Sequence, residues 1–282
     1  MIEMKFYLTG LGNLAENQSH ITKSIVEADR LGFDGALMPD HYMWGNEIGH
    51  SMKNPYSTLE TWTTLSYLAG KTDKISLGTL VTPLGLRHPG VLAKMLATLD
   101  NLSGGRVVLG VGAGWSQVEF RGYSSWLEPA DRVAKTVEAL KVILALWSQE
   151  GVTHHGRFYD LEGAVLLPKP VQTPHPRLLF GSQGSRMLRI TGQYGDIFYV
   201  PPWAQAKTAE MIAEVKEASE KAGRKAPAIM LGTMDSRKYT ATEYAKGVES
   251  AAKIGAEYYT IAFPRDDPTS MYRFSEEVMP SY

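Results

Sequence analysis

Short apolar runs of strand length alternate with amphipathic stretches of helix length eight times along this chain, and no other feature of the sequence limits the fold as strongly. The spacing predicts strands at Phe6–Gly10, Gly35–Pro39, Ile75–Val81, around Val107–Val111, and at Leu178–Gly181, Ile197–Val200, Ala228–Gly232 and Tyr258–Phe263. Helices are predicted after Ser19, over Pro55–Ala69, from Pro89, and over Ala130–Ser148, Ser185–Tyr194, Ala204–Ala222 and Ala241–Ile254, with room for a last one from Asp267. The strand runs are apolar throughout, as in strands covered on both faces. Strands that alternate with helices form a parallel sheet. Eight such units close into a (β/α)8 TIM barrel, with an open doubly wound sheet as the alternative. The 282 residues are enough for one such domain spanning 1–282. Residues 151–176, broken by glycines and prolines, interrupt the rhythm and read as an inserted hairpin or lid. Val108, Leu77, Leu179 and Ile197 are expected to line the barrel core.

Within this pattern LSGGRVVLGVGAGW, residues 102–115, stands out. Gly104-Gly105 is a turn signal, and Val107–Val111 is a buried strand. Gly110, Gly112 and Gly114 then occupy alternate positions. Glycines so placed let a backbone approach a flat ligand, or simply pack a barrel wall. The spacing is not G-x-G-x-x-G, and no acidic residue follows about 20 residues on, which disfavours a dinucleotide fold.

Other chemistries are excluded by what the chain lacks. Its net charge is −1, so a nucleic acid or an anionic membrane has no electrostatic support. It has no cysteine, which removes disulfides, thiolate metal sites and cysteine nucleophiles and fits a cytoplasmic protein. The N-terminal MIEMKFYLTG lacks the apolar core of a signal peptide, and no run is long enough to span a membrane. No H-x-H or lysine ends a strand, and neither a nucleophile elbow nor a P-loop occurs, so no metal site, Schiff base or nucleotide loop is expected.

In a barrel of this kind the chemistry lies on the loops after the strands. The ionisable residues there are few: Asp40, His41, Asp235 and Arg265. Such a site suits a planar cofactor that brings the reactivity itself. Gly181-Ser182-Gln183-Gly184-Ser185-Arg186 combines a glycine turn, hydroxyls, a helix start and an arginine, and suits a phosphate; the alternative is an ordinary turn with a serine cap. Free histidine changes charge near neutrality, so His41 is either a proton relay or a structural histidine. Trp44 and Trp115 are either pocket walls or core aromatics.

The segments EADRLGFDGALMPDH (27–41), 74–115, GRFYDLEG (156–163), LPKPVQTP (167–174) and LLFGSQGSRMLRITGQYGDI (178–197) together resemble the bacterial-luciferase-like superfamily of flavin- or deazaflavin-dependent oxidoreductases. The resemblance covers about residues 4–200. It implies a barrel with an insertion, commonly a homodimer, acting on a small organic molecule with a flavin ring at the carboxyl face. Residue by residue, Thr79–Thr82 matches a non-prolyl cis peptide behind the ring, which places Leu80, Val81 and Thr82 beside the cofactor. Gly112, Ala113, Gly114 and Trp115 match the cofactor-lining turn. Residues 181–186 match the phosphate loop, and Asp40-His41 match a strand end facing the ring.

GSQGSRMLRITGQYGD is most similar to the branch using coenzyme F420, which implies hydride transfer with His41 and Trp44 as catalytic residues. The spacing His41-x-x-Trp44 is one residue shorter than in the related sugar-phosphate dehydrogenases. Trp115 stands where those enzymes carry a catalytic glutamate, which weighs against sugar-phosphate oxidation. FMN-dependent monooxygenation and flavin binding without turnover are the alternatives. The substrate is not legible, because residues 42–55 and 151–176 would shape its pocket.

Overall fold

The computed structural model describes residues 3–46, 52–267 and 269–282. Eight strands, β1 (Lys5–Leu8), β2 (Gly35–Met38), β3 (Ser76–Thr79), β4 (Val107–Gly112), β5 (Arg177–Phe180), β6 (Ile197–Tyr199), β7 (Ala228–Gly232) and β8 (Ala256–Ile261), pair in parallel. Their order is β3-β2-β1-β8-β7-β6-β5-β4. Pairing of Leu77 with Val107 and of Gly78 with Val108 closes the barrel between β3 and β4. The eightfold alternation therefore ends in closure rather than in an open sheet.

Side chains alternate between two apolar layers. Tyr7, Leu37, Val108, Leu179, Ile197, Tyr199, Met230 and Tyr258 fill the interior. Phe6, Leu8, Val107, Leu109, Val111, Leu178 and Phe198 face outward onto helical residues such as Ile21, Ile25, Leu92, Leu96 and Ile143. Leu77 belongs to this outer layer, contrary to expectation, whereas Val108, Leu179 and Ile197 do line the interior.

The alternating glycines allow close approach within the chain itself. A Cβ at Gly110 would lie 1.9 Å from the Thr79 carbonyl oxygen, and one at Gly112 would lie 2.5 Å from Val81 Cγ2. One at Gly114, where φ is +79°, would lie 2.3 Å from Phe120. All three admit neighbouring parts of this chain, as packing of a barrel wall requires.

Nine α-helices are described: α1 (Gln18–Arg30), α2 (Thr61–Ala69), α3 (Pro89–Ser103), α4 (Gln117–Tyr123), α5 (Pro129–Ser148), α6 (Ser185–Tyr194), α7 (Thr208–Lys221), α8 (Ala241–Lys253) and α9 (Ser270–Glu277). Helix α2 starts six residues later than expected, because the Glu60 side chain caps it by accepting from Thr63 N at 2.6 Å. Helix α4 was not expected. Ser116 caps it, accepting from Glu119 N at 3.4 Å. The insertion holds an antiparallel hairpin, Val152–His155 with Asp160–Ala164. Residues 47–51, His50 included, which belong to the 42–55 segment expected to shape the substrate pocket, lie outside the described residues. Among the described residues no helix is long and apolar enough to cross a membrane.

Candidate active site

A cleft of about 230 Å³ opens at the carboxyl end of the strands, lined by His41, Leu80, Val81, Pro83, Gly114, Trp115, Gly181, Gln183, Tyr199, Pro201, Trp203 and Met234. A larger cleft, about 390 Å³, lies among Lys5, Asp29, Asp34, Lys74 and Arg177. It sits at the opposite end of the strands, which in barrels of this kind serves stability rather than chemistry.

His41 leaves β2 and reaches the cleft with its ring fixed from behind. Its Nδ1 lies 3.0 Å from Glu119 Oε2, with both side chains buried. An ionised carboxylate only accepts, so Nδ1 carries the proton in this pair. Nε2 has no hydrogen-bond partner among the described residues. The other oxygen of Glu119 accepts from Tyr42 N at 2.6 Å, so one carboxylate holds both the imidazole and the backbone beside it. Sequence reading missed Glu119. Its signal was the S-x-x-E pattern of a helix start at Ser116-Gln117-Val118-Glu119, one turn beyond Trp115.

Trp44 packs against His41 with ring centroids 4.1 Å apart, and Trp115 meets the same ring edge-on at 5.3 Å. The Trp44 Nε1 donates to Asn13 Oδ1 at 3.0 Å, while Asn13 Nδ2 donates to the His41 carbonyl at 2.6 Å. Asn13, fully buried in the turn after β1, thus ties Trp44 to the His41 backbone.

Asp40 and Thr82 lie beneath the cleft rather than on its wall. Arg87 grips Asp40 through two bonds, of 2.7 and 2.8 Å, and also reaches Glu60. Thr82 donates to Asp40 at 2.7 Å and accepts from Trp62 Nε1 at 3.0 Å. Burial, the largest single influence, would lower the Arg87 pKa, but the charge and hydrogen bonds of Asp40 together with Tyr42 and Glu60 outweigh it and raise the value. The Arg87 guanidinium stacks 4.6 Å over Tyr42, whose phenol is pushed up to about 12, mainly by burial. The peptide between Leu80 and Val81 is cis, as the resemblance implied for Thr79–Thr82, and both side chains line the cleft.

Of the 181–186 turn, Gly181 and Gln183 line the cleft, Ser182 is half-buried, and Gly184, Ser185 and Arg186 are exposed. Gly184 is the N-cap of α6 and provides no side-chain acceptor, which leaves the first N–H groups of that helix uncapped. The Arg186 guanidinium donates to the Ala130 carbonyl at 2.8 Å rather than turning toward the loop. Gly112 is buried and Ala113 half-buried behind Gly114. Tyr199 Oη is buried without a hydrogen-bond partner, and burial raises the phenol's pKa. An apolar, glycine-edged cleft with one imidazole, an orphaned phenol and an uncapped helix start fits a planar ring carrying a phosphorylated tail. Among the described residues no group of three or more His, Asp and Glu is arranged to hold a metal ion.

The family model for luciferase-like monooxygenases matches residues 6–252. The chain is 33% identical over 211 residues to an F420-dependent glucose-6-phosphate dehydrogenase of Nakamurella multipartita, covering 73% of this chain and 60% of that one. It is 28% identical over 255 residues to an FMNH(2)-dependent dimethylsulfone monooxygenase of Pseudomonas putida, covering 89% and 64%. The chain therefore spans about three-fifths of the length of these curated relatives. An F420-dependent secondary alcohol dehydrogenase in complex with an F420-acetone adduct shares the fold, with a TM-score of 0.84 at 20% identity over 99% of this chain and 98% of that one. A monooxygenase from Streptomyces bottropensis shares it at a TM-score of 0.83, again at 20% identity, over 99% and 100%. With its family model matched across the barrel and its fold shared by these enzymes, the chain belongs to the luciferase-like monooxygenase family.

Proposed function

We propose that this protein is an oxidoreductase that uses coenzyme F420 to move hydride to or from a small organic substrate. The carrying observation is His41, presented to the cleft with Nδ1 held by Glu119 and Nε2 unpartnered. The bound deazaflavin supplies hydride chemistry, and the protein supplies binding and orientation. Leu80, Val81, Gly114 and Gly181 are the walls for the ring. At about 230 Å³ the cleft is smaller than the roughly 300–1,000 Å³ of a complete ligand pocket, so the tail is assigned to the exposed 181–186 turn. There the uncapped N–H groups of α6, with Ser182 and Ser185, are the phosphate donors. His41 holds or delivers a proton at Nε2, and Glu119 keeps the imidazole in the orientation and tautomer that this requires. Trp44 and Trp115 shield the imidazole from water.

The F420-dependent dehydrogenases among the relatives support this reading, and the FMNH(2)-dependent relative supports FMN-dependent monooxygenation as the second. Resemblance and the absence of cysteine favour a cytoplasmic homodimer, to be checked by sedimentation. Mass and absorbance of the cofactor that co-purifies from the native host test the proposal. A deazaflavin supports it, FMN favours the monooxygenase reading, and failure of the loaded protein to turn over any substrate leaves only binding.

A further inference from the structure

Among the described residues the lining of the cleft includes no Lys, Arg, Asp or Glu. Four cations on the loops at this end of the barrel are engaged elsewhere. Arg87 is buried with Asp40, Arg237 pairs with Asp235 at 2.9 Å, Lys238 with Asp266 at 2.9 Å, and Arg265 donates to Asn17 at 2.8 Å. A phosphate or carboxylate on a substrate would lose its water here without gaining a counter-charge, which is strongly unfavourable.

In place of charge the cleft has two open indoles. Trp203 is 70% exposed and Trp115 52% exposed. Trp203 stands on the short 3-10 turn Pro202–Lys207 after β6, a turn fixed by Ala204 N donating to the Pro201 carbonyl at 2.9 Å and by Gln205 Nε2 donating to the Gly232 carbonyl at 3.3 Å. Large aromatic surface left open on a fixed turn at a cleft marks a binding wall. Trp115 meets the His41 ring edge-on, so this wall continues up to the group assigned the proton. Among the described residues, polar side-chain function presented by the lining is confined to His41 and Gln183, since the Tyr199 hydroxyl is buried. That set serves one or two hydrogen-bonding atoms on an otherwise apolar, planar molecule.

We propose that the substrate is an uncharged aromatic carbonyl compound or the corresponding alcohol, bound against Trp203 and Trp115, and that phosphorylated sugars are excluded. The proposal rests on the oxidoreductase reading above and narrows it.

Isothermal titration of the full chain, with and without coenzyme F420, using acetophenone, 1-phenylethanol and glucose 6-phosphate as probes, tests it. Acetophenone is expected to bind, and Trp203→Ala or Trp115→Ala to weaken it roughly tenfold, while Trp203→Phe keeps it within about threefold. In the protein loaded with coenzyme F420, where the 181–186 turn is occupied, glucose 6-phosphate is expected to give no binding heat at the same concentration. Thermal melts of the variants are expected to match the parent, since both indoles are exposed. Glucose 6-phosphate binding to the F420-loaded protein as tightly as acetophenone, acetophenone affinity indifferent to both indoles, or acetophenone displacing the cofactor would each overturn the proposal. Normal cofactor binding with no acetophenone binding sinks this inference alone. Indole-dependent acetophenone binding in a protein that takes up no F420 supports the aromatic site and sinks the oxidoreductase reading instead.

Discussion

His41 Nδ1 and Glu119 Oε2 sit 3.0 Å apart, although 78 residues separate them in the chain. Each comes from the carboxyl end of its own strand, His41 just after β2 and Glu119 on the helix that follows β4. The pair exists only because the barrel closes between β3 and β4. Its burial makes the orientation of the imidazole a property of the fold.

His41→Ala is expected to lower kcat by roughly 10²–10⁴-fold, the range for loss of a general acid or base, with little change in cofactor affinity. Glu119→Gln is expected to fall between the parent and this variant, since the amide keeps the shape but loses the charge-assisted bond. Steady-state turnover alongside a cofactor titration checks both. An unchanged kcat in His41→Ala would make the histidine a wall residue only.

Asn13→Ala removes a fully buried amide that serves His41, Leu59, Thr61 and Trp44 at once. Left-over buried donors and acceptors cost about 1–3 kcal/mol, and that loss is expected in denaturant unfolding. The released Trp44 should also show a shifted fluorescence maximum. Full stability with an unaltered spectrum would contradict the tie.

The barrel was legible in the sequence because its signal is repeated eight times and each strand lies between two apolar layers. For that same reason the face of a given residue was not legible. Leu77 and Val108 look alike in sequence, and only the register separates outward from inward. The cis peptide at Leu80–Val81 was reached through motif resemblance, whereas the start of α6 at Ser185 was read from the spacing itself. Glu119 was not reached, because an acidic residue three positions after a serine reads as a cap, and its partner lies on a distant strand end. Asn13 was hidden similarly: its four partners come from two separate stretches of chain, 41–44 and 59–61.

Gly184→Asp should separate stability from binding. Gly184 has φ −80° and ψ 135°, which any residue adopts, and a Cβ there meets nothing within 4 Å. An aspartate N-cap should stabilise α6 by a few tenths of a kcal/mol. Its carboxylate would occupy the N–H groups assigned to the cofactor phosphate and weaken cofactor binding. Unchanged affinity would remove the phosphate from this turn.

Gly110→Ala is the contrasting case. Its new methyl carbon would sit 1.9 Å from the Thr79 carbonyl oxygen, so a loss of about 1–3 kcal/mol or more is expected in denaturant unfolding. Parent-like stability would mean that β3 and β4 part without cost.

Acid stability should depend on Glu138. Burial opposes its ionisation, but bonds from the N–H groups of Phe158 and Tyr159, each 2.9 Å, with His154 and Arg157, hold its pKa below the ordinary 4.5. A depressed folded value stabilises above the unfolded pKa and loses that contribution as pH falls through the folded one. Glu138→Gln should therefore be less stable than the parent at neutral pH, and the gap should narrow below pH 4.5. A gap that is constant with pH would show that the charge contributes nothing.

The cofactor assignment is tested most directly by anaerobic single turnover. The purified apo-protein, loaded in parallel with reduced F420 and reduced FMN, is mixed with acetophenone and followed by the cofactor's absorbance. The account predicts substrate-dependent oxidation of F420 without oxygen, slowed in His41→Ala, and none with FMN. Substrate conversion only with reduced FMN and only when oxygen is admitted would contradict it.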